Sequence, residues 1–161
     1  MAGGAHRALF AGAAVNALVQ GLWAEHYTGH PWSLVFLGFV GVLTLVPGLI
    51  HHFFRDGGAE SIGGLNLGDQ RELVIGVFGW LGATQISWGL LILAVAGHYQ
   101  MLAPLVLLLL IGERSLLVAR WWLGRRKPAH RPPEHYVSVV LLPVALVFFA
   151  MALPAAQSTA V

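Results

Sequence analysis

The feature that most constrains this chain is a succession of five apolar segments, each about as long as a membrane-spanning helix. An α-helix needs roughly 20 apolar residues to cross the hydrocarbon core of a bilayer. Hydrophobic residues make up 57% of the chain and charged residues only 10%, which is more apolar surface than a soluble core can hide. We therefore predict an all-α fold, a polytopic transmembrane helix bundle that forms a single membrane domain over residues 1–161. The predicted spans cover about residues 8–26, 32–54, 72–97, 101–123 and 135–154.

The first segment is the least regular of the five, because it is short and contains Asn16 and Gln20. We predict that it crosses the membrane, which gives five spans. The alternative is four spans preceded by an N-terminal helix that lies in the membrane interface. In both cases the connections between spans are too short for a separate soluble domain. Because the chain has no cysteine, a disulfide framework and a thiolate metal site are excluded.

Apart from Arg114, which falls within a span, lysine and arginine lie on or near one side of the predicted bundle. They occur near the N-terminus, between the second and third spans, and at or after the end of the fourth, whereas connections 25–31 and 98–100 have none. Positive residues beside the spans mark the cytoplasmic side of a membrane. We therefore place the N-terminus in the cytoplasm and the C-terminus on the periplasmic or extracellular side. The composition, rich in alanine, glycine and leucine, favours a bacterial inner membrane.

The connection before the last span is strongly basic and contains several prolines. Its basic residues are Arg125, Arg126, Lys127 and Arg131. A basic residue near an anionic membrane surface contributes roughly 1 kcal/mol of attraction. We therefore expect this loop to contact lipid headgroups, and we expect no nucleic-acid partner.

Polar residues of three predicted spans fall at one depth. If each span is centred in the bilayer, the midpoints of the first, third and fourth lie near Asn16, Gln85 and Glu113. Arg114 follows Glu113, and each charge at bilayer depth costs roughly 2.5–3.5 kcal/mol on insertion-based scales. We predict that these four residues form an intramembrane polar layer, in which Arg114 finds Gln85, Asn16, a backbone carbonyl or a bound anion. The layer is either a site for a proton, quinone, lipid headgroup or small solute, or a set of structural hydrogen bonds between helices.

Small residues line one broad side of the third predicted span. Gly76, Gly79 and Gly82 recur at intervals of three, which places them along one side of a helix. Such residues let helix backbones approach closely in a membrane. We predict that this side packs against another helix, either within the bundle or between subunits.

Histidines mark the outer ends of the predicted spans. His26 and His30 are four residues apart, and His98 lies on the other outer connection. Two histidines at this spacing can share a helical face, as ligands of copper or zinc require. Gly29 and Pro31 weaken that geometry, because they favour the end of a helix between them.

The sequence contains no phosphate-binding loop and no nucleophile elbow. It therefore requires no cofactor and favours a protein that is not an enzyme.

Several motifs occur in a fixed order between residues 33 and 153. An apolar span carries a late Pro47-Gly48, Arg71 opens a glycine-rich span, and the sequence Glu113-Arg-Ser115 follows in a later span. A basic, proline-rich loop and Glu134 then precede the last span. In these respects the chain resembles the DoxX-like group of small bacterial membrane proteins. The resemblance implies a four-helix bundle, to which the first segment is an addition, and a role beside quinone-linked oxidoreductases, which some members accompany in the membrane.

Taken together, these features favour a non-catalytic subunit or module of a larger membrane complex. Such a module would pack against partner helices or a second copy of itself, with lipid, quinone or pigment as candidate ligands. One alternative is a small transporter or proton pathway centred on Glu113. Another is a membrane oxidoreductase with a metal site at the outer histidines. The sequence does not identify the substrate, the partner or the stoichiometry.

Overall fold

The computed structural model of the chain describes residues 12, 15, 16, 19, 26–124 and 133–154. These residues contain four long α-helices and no β-strand. A 3₁₀ turn, Gln100–Leu102, precedes the third helix, and a wider π-helical turn, Ala119–Leu123, continues it. The helices are α1 (Pro31–Phe53), α2 (Arg71–Gly97), α3 (Ala103–Val118) and α4 (Pro133–Ala152).

Each of the four helices, taken with its adjoining turns, is long and apolar enough to cross a membrane. The all-α class and the apolar helices that we expected over the last four segments are therefore confirmed. The first predicted span, 8–26, lies mostly outside the described residues. Within it, Gly12, Val15, Asn16 and Val19 are helical and exposed, and a fifth span stays a prediction.

The start of α1 is set by local hydrogen bonds. His30 is its N-cap, and the Trp32 N–H donates to His30 Nδ1 at 3.3 Å. Pro31 occupies the first helical position, where the missing N–H costs nothing. The His30 N–H donates to the Met151 carbonyl at 2.8 Å, and this bond ties the start of α1 to the end of α4.

Helices α1 and α2 form an antiparallel pair in which the backbones nearly touch. A Cβ added to Gly82 would lie 2.6 Å from the His52 nitrogen and 2.7 Å from the Gly48 carbonyl oxygen. Gly82 therefore packs against another helix. A Cβ added to Gly76 or Gly79 would meet nothing within 4 Å, although the Gly79 carbonyl lies 3.0 Å from His52 Nδ1 of α1. The packing role that we predicted for Gly76 and Gly79, within the bundle or between subunits, stays a prediction.

The apolar core of the bundle is concentrated in one half. It lies where α1 and α3 begin and where α2 and α4 end, and there Phe36 stacks on Phe148 with ring centres 4.3 Å apart. The other half, which we call the basic end, includes Arg55, Arg71 and Arg120 and contributes no residue to this cluster. The core residues are Phe36, Leu37, Val40, Ile92, Val95, Ala103, Val106, Leu107, Leu110, Ala145 and Ala152.

At the basic end, the connection between α1 and α2 is a tightly hydrogen-bonded loop. Gly57 and Gly58 adopt positive φ angles of 60° and 74°, which glycine tolerates without strain. Asp56 accepts hydrogen bonds from the Gly58 N–H at 3.0 Å and the Ser61 N–H at 2.7 Å. These bonds favour the carboxylate and lower the pKa of Asp56 to about 2. The loop is therefore ordered by its own backbone turns.

Candidate functional site

Arg114 is a buried cation that connects α3 to α4. Its Nη1 donates to the Ser138 Oγ of α4 at 3.2 Å, and its Nη2 lies 3.5 Å from the Glu113 Oε1. Arg114 follows Leu107 by seven positions and Leu110 by four, so it shares their helical face, which is buried against the core. The leucine pattern therefore directs the guanidinium inward.

The facing side of α4 is built from small residues. Ser138, Ala145 and Ala152 recur at intervals of seven, and all three are almost fully buried. Small residues at this spacing let two helices approach closely. Ser138 thereby brings its hydroxyl within reach of Arg114. Sequence reasoning missed Ser138, although the seven-residue spacing of Ser138, Ala145 and Ala152 is visible in the sequence.

Glu113 points away from the core. Adjacent positions on a helix are about 100° apart, so the burial of Arg114 turns Glu113 towards the surface. Its side chain is 45% exposed. Leu109 and Leu116 lie on the same outward side of α3 and are exposed as well. We call this surface, made by Leu109, Glu113 and Leu116, the Glu113 face.

The other two members of the predicted polar layer lie elsewhere. Gln85 is on α2, where its Cβ lies against Gly48 of α1, and its Oε1 is buried without a hydrogen bond from the described residues. Asn16 is helical and exposed. The structure thus joins Arg114 to Glu113 and Ser138. Ser138 was not among the partners that we had expected, which were Gln85, Asn16, a backbone carbonyl or a bound anion. Arg114 meets Ser138 because α3 pairs with α4, whereas α2 pairs with α1.

The outer histidines have separate structural environments. His30 Nδ1 is engaged as the cap of α1, and His98 makes an edge contact with the ring of neighbouring Tyr99. Among the described residues, which include His26, His30 and His98, no group of three His, Asp or Glu side chains could hold a metal ion. The arrangement therefore gives no support to a metal centre at this end. Nearby, burial raises the pKa of the Tyr27 phenol, whose oxygen is hydrogen-bonded to Ser33.

An aromatic cluster lies at the basic end of α3 and α4, formed by Trp121, Trp122, His135 and Tyr136. Trp121 stacks on His135 with ring centres 4.8 Å apart, and Trp122 meets Tyr136 edge to face at 5.7 Å. The Trp122 Nε1–H donates to the His135 carbonyl at 3.4 Å. The Arg120 guanidinium carbon lies 5.5 Å from the centre of the Trp121 ring. Arg125, Arg126, Lys127 and Arg131, which we expected to contact lipid headgroups, lie outside the described residues.

An apolar groove of about 520 Å³ lies between parts of α1 and α4. Several of the side chains that line it are exposed, so the groove opens to the side of the bundle. Tyr136 belongs both to this groove and to the aromatic cluster. The lining residues are Phe36, Phe39, Leu43, Tyr136, Val137, Val140, Leu141 and Val144.

Over the residues that the structure describes, these features define the class of the protein as helical, with four helices that can cross a membrane, one of which carries the Glu113–Arg114 contact in its apolar sequence. In comparisons with known proteins, no family model, curated protein or solved structure matches the chain.

Proposed function

We propose that this chain is a non-catalytic module of a larger membrane complex, and that a helix of another subunit or of a second copy covers its Glu113 face. The observation that carries the proposal is the half-exposed carboxylate of Glu113 within an apolar, membrane-length helix. The proposal includes a five-span topology in a bacterial inner membrane with the N-terminus in the cytoplasm. The resemblance of residues 33–153 to DoxX-like proteins supports a role of this kind.

The Glu113 carboxylate is costly to place in hydrocarbon. A charged side chain at the centre of a membrane helix costs roughly 2.5–3.5 kcal/mol on insertion scales. The contact with Arg114, at 3.5 Å, is longer than the 2.7–2.9 Å that is usual for a strong charge-assisted hydrogen bond. Leu109 and Leu116, which flank Glu113, offer no donor. A second helix with a polar side chain at this level would lower the cost by hydrogen bonding.

Two other exposed polar residues of the spans, Thr84 and Ser87, do not need such a partner. The Thr84 hydroxyl donates to the Trp80 carbonyl at 3.2 Å, and the Ser87 hydroxyl donates to the Ala83 carbonyl at 3.1 Å. These bonds form within α2 itself and satisfy the hydroxyl donors locally. Glu113 differs because a carboxylate can only accept hydrogen bonds. The carbonyls of its own helix are acceptors as well, so they cannot bond to it as they do to Thr84 and Ser87.

The test compares Glu113→Leu with Thr84→Leu, which also replaces an exposed polar residue within a span. Each full-length protein is purified from native membranes in a mild detergent. The mass of the protein in the protein–detergent particle is then measured, without the mass of the detergent. We expect the wild type and Thr84→Leu to purify as an assembly of more than one chain, and Glu113→Leu to shift towards a single chain. A wild type that purifies as one chain, or a Glu113→Leu variant that assembles like the wild type, would contradict the proposal.

The same half-exposed carboxylate also favours a second candidate function, a proton pathway centred on Glu113. Glu113→Gln separates the two functions, because the amide keeps the shape and hydrogen-bonding capacity but cannot release a proton. If the protein is a module held together by hydrogen bonding, the Glu113→Gln variant should assemble like the wild type, and its proton flux should equal that of the wild type. A proton pathway should lose flux in reconstituted vesicles while the assembly stays intact.

A further inference from the structure

We propose that the groove between α1 and α4 binds one anionic phospholipid, with an acyl chain in the groove and the headgroup at the basic end near Arg120. This site lies on α1 and α4, whereas the proposed assembly uses the Glu113 face of α3. The inference therefore goes beyond the proposed function and can fail independently of it.

The shape and lining of the groove suit an acyl chain. Its volume of about 520 Å³ falls within the range of roughly 300–1,000 Å³ that is usual for small-molecule sites in proteins. Phe39 and Leu43 line it from α1, and Val140 and Val144 line it from α4. These side chains offer no hydrogen bond, and the groove is open along its side, so a chain can enter laterally from the bilayer.

The position of the groove relative to the aromatic cluster and Arg120 indicates where the lipid headgroup would lie. Tyr136 lines the groove and contacts Trp122 of the aromatic cluster, at the end of α3 where Arg120 lies. Tyrosine and tryptophan favour the level of the lipid headgroups, where one side is apolar and the other is wet. A chain in the groove would therefore place its headgroup at the level of this cluster.

The local charge favours an anionic headgroup. Arg120 is exposed, and its guanidinium is held over the Trp121 ring. Because a basic residue near an anionic membrane surface contributes about 1 kcal/mol, a headgroup site beside Arg120 should prefer an anionic to a zwitterionic lipid with the same chains.

The test measures lipid retention by the purified full-length protein. The protein in detergent is incubated with palmitoyl-oleoyl phosphatidylglycerol or with phosphatidylcholine of the same chains, and the bound lipid is counted by native mass spectrometry. We expect one phosphatidylglycerol to be retained in preference to phosphatidylcholine. We expect Arg120→Gln to reduce the preference about fivefold, the factor that corresponds to about 1 kcal/mol. Arg55→Gln removes a basic residue from another connection at the same end and should leave the preference unchanged.

A second pair of variants tests the groove itself. Val140→Trp fills the groove, whereas Val147→Trp places the same bulky side chain on an exposed position of α4 that does not line it. Leu43→Trp repeats the test from the α1 side. We expect Val140→Trp and Leu43→Trp to lose the bound phosphatidylglycerol and Val147→Trp to keep it. Equal retention of the two lipids by the wild type, or unchanged retention in both groove-filling variants, would overturn the proposal.

Discussion

Arg114 of α3 donates a hydrogen bond from Nη1 to the Ser138 Oγ of α4 at 3.2 Å. Both side chains are almost fully enclosed, so this bond joins two helices within the bundle. It agrees with the orientation of α3 that buries Leu107 and Leu110 on the same face. With Arg114 turned inward, the neighbouring Glu113 has to face outward, which gives the Glu113 face.

Removing the Ser138 hydroxyl should weaken the α3–α4 pair. We expect Ser138→Ala to lower the free energy of unfolding by about 0.5–2 kcal/mol, the range for hydrogen bonds between membrane helices. The measurement is unfolding of the detergent-solubilised protein by increasing sodium dodecyl sulfate. Ser87→Ala is the control, because within the described residues the Ser87 hydroxyl bonds to the Ala83 carbonyl of its own helix and not to another helix. Equal stability of the two variants would show that the Arg114–Ser138 bond is not stabilising.

The close approach of α1 and α2 should make Gly82 intolerant of any side chain. A Cβ at this position would lie 2.6 Å from the His52 nitrogen, a backbone atom that cannot move without shifting α1. We expect Gly82→Ala to destabilise the protein by about 1–3 kcal/mol, the usual cost of overpacking. Gly76→Ala is the matched control, because its Cβ would meet nothing within 4 Å and alanine favours the helix. Unfolding curves in which the two variants coincide would contradict this packing.

The loop at the basic end should respond to acid only at low pH. The pKa of Asp56, about 2, lies below the ordinary value of 3.8 because the Ser61 and Gly58 N–H groups donate to the carboxylate. For a lowered pKa, the stabilisation is present above the unfolded value and is lost as the pH falls through the folded value. We expect the loop hydrogen bonds to persist at pH 4 and to weaken towards pH 2. Titration of the Asp56 carboxyl carbon by NMR checks this, and a midpoint near 3.8 would contradict it.

Helix positions were predictable because hydrophobic length is a local property of the sequence. The expected spans 32–54 and 72–97 differ by at most one residue at each end from α1, Pro31–Phe53, and α2, Arg71–Gly97. In each case polar or helix-ending residues limit an apolar run, and the bilayer requires that run to be helical.

Which residues face each other was much harder to predict. Depth along a helix follows from counting residues, and it placed Gln85, Glu113 and Arg114 at one level. Depth does not determine which helices are neighbours. Gln85 lies against Gly48 in the α1–α2 pair, whereas Arg114 reaches Ser138 in the α3–α4 pair. Small residues that allow close approach determine which helices are neighbours. Gly82 of α2 allows α1 to approach, and Ser138 of α4 allows α3 to approach.

The most direct test of the central claim asks what covers the Glu113 face. A photoreactive amino acid is placed at Leu116, which lies on this face and is 74% exposed, and separately at Val147 on α4, which is 59% exposed. After illumination in native membranes, the mass of each covalent product is measured. We predict that the probe at position 116 yields a product heavier by a second protein chain, whereas the probe at 147 yields none. Only single-chain products, with or without attached lipid, at position 116 would contradict the claim that another subunit or a second copy covers the Glu113 face.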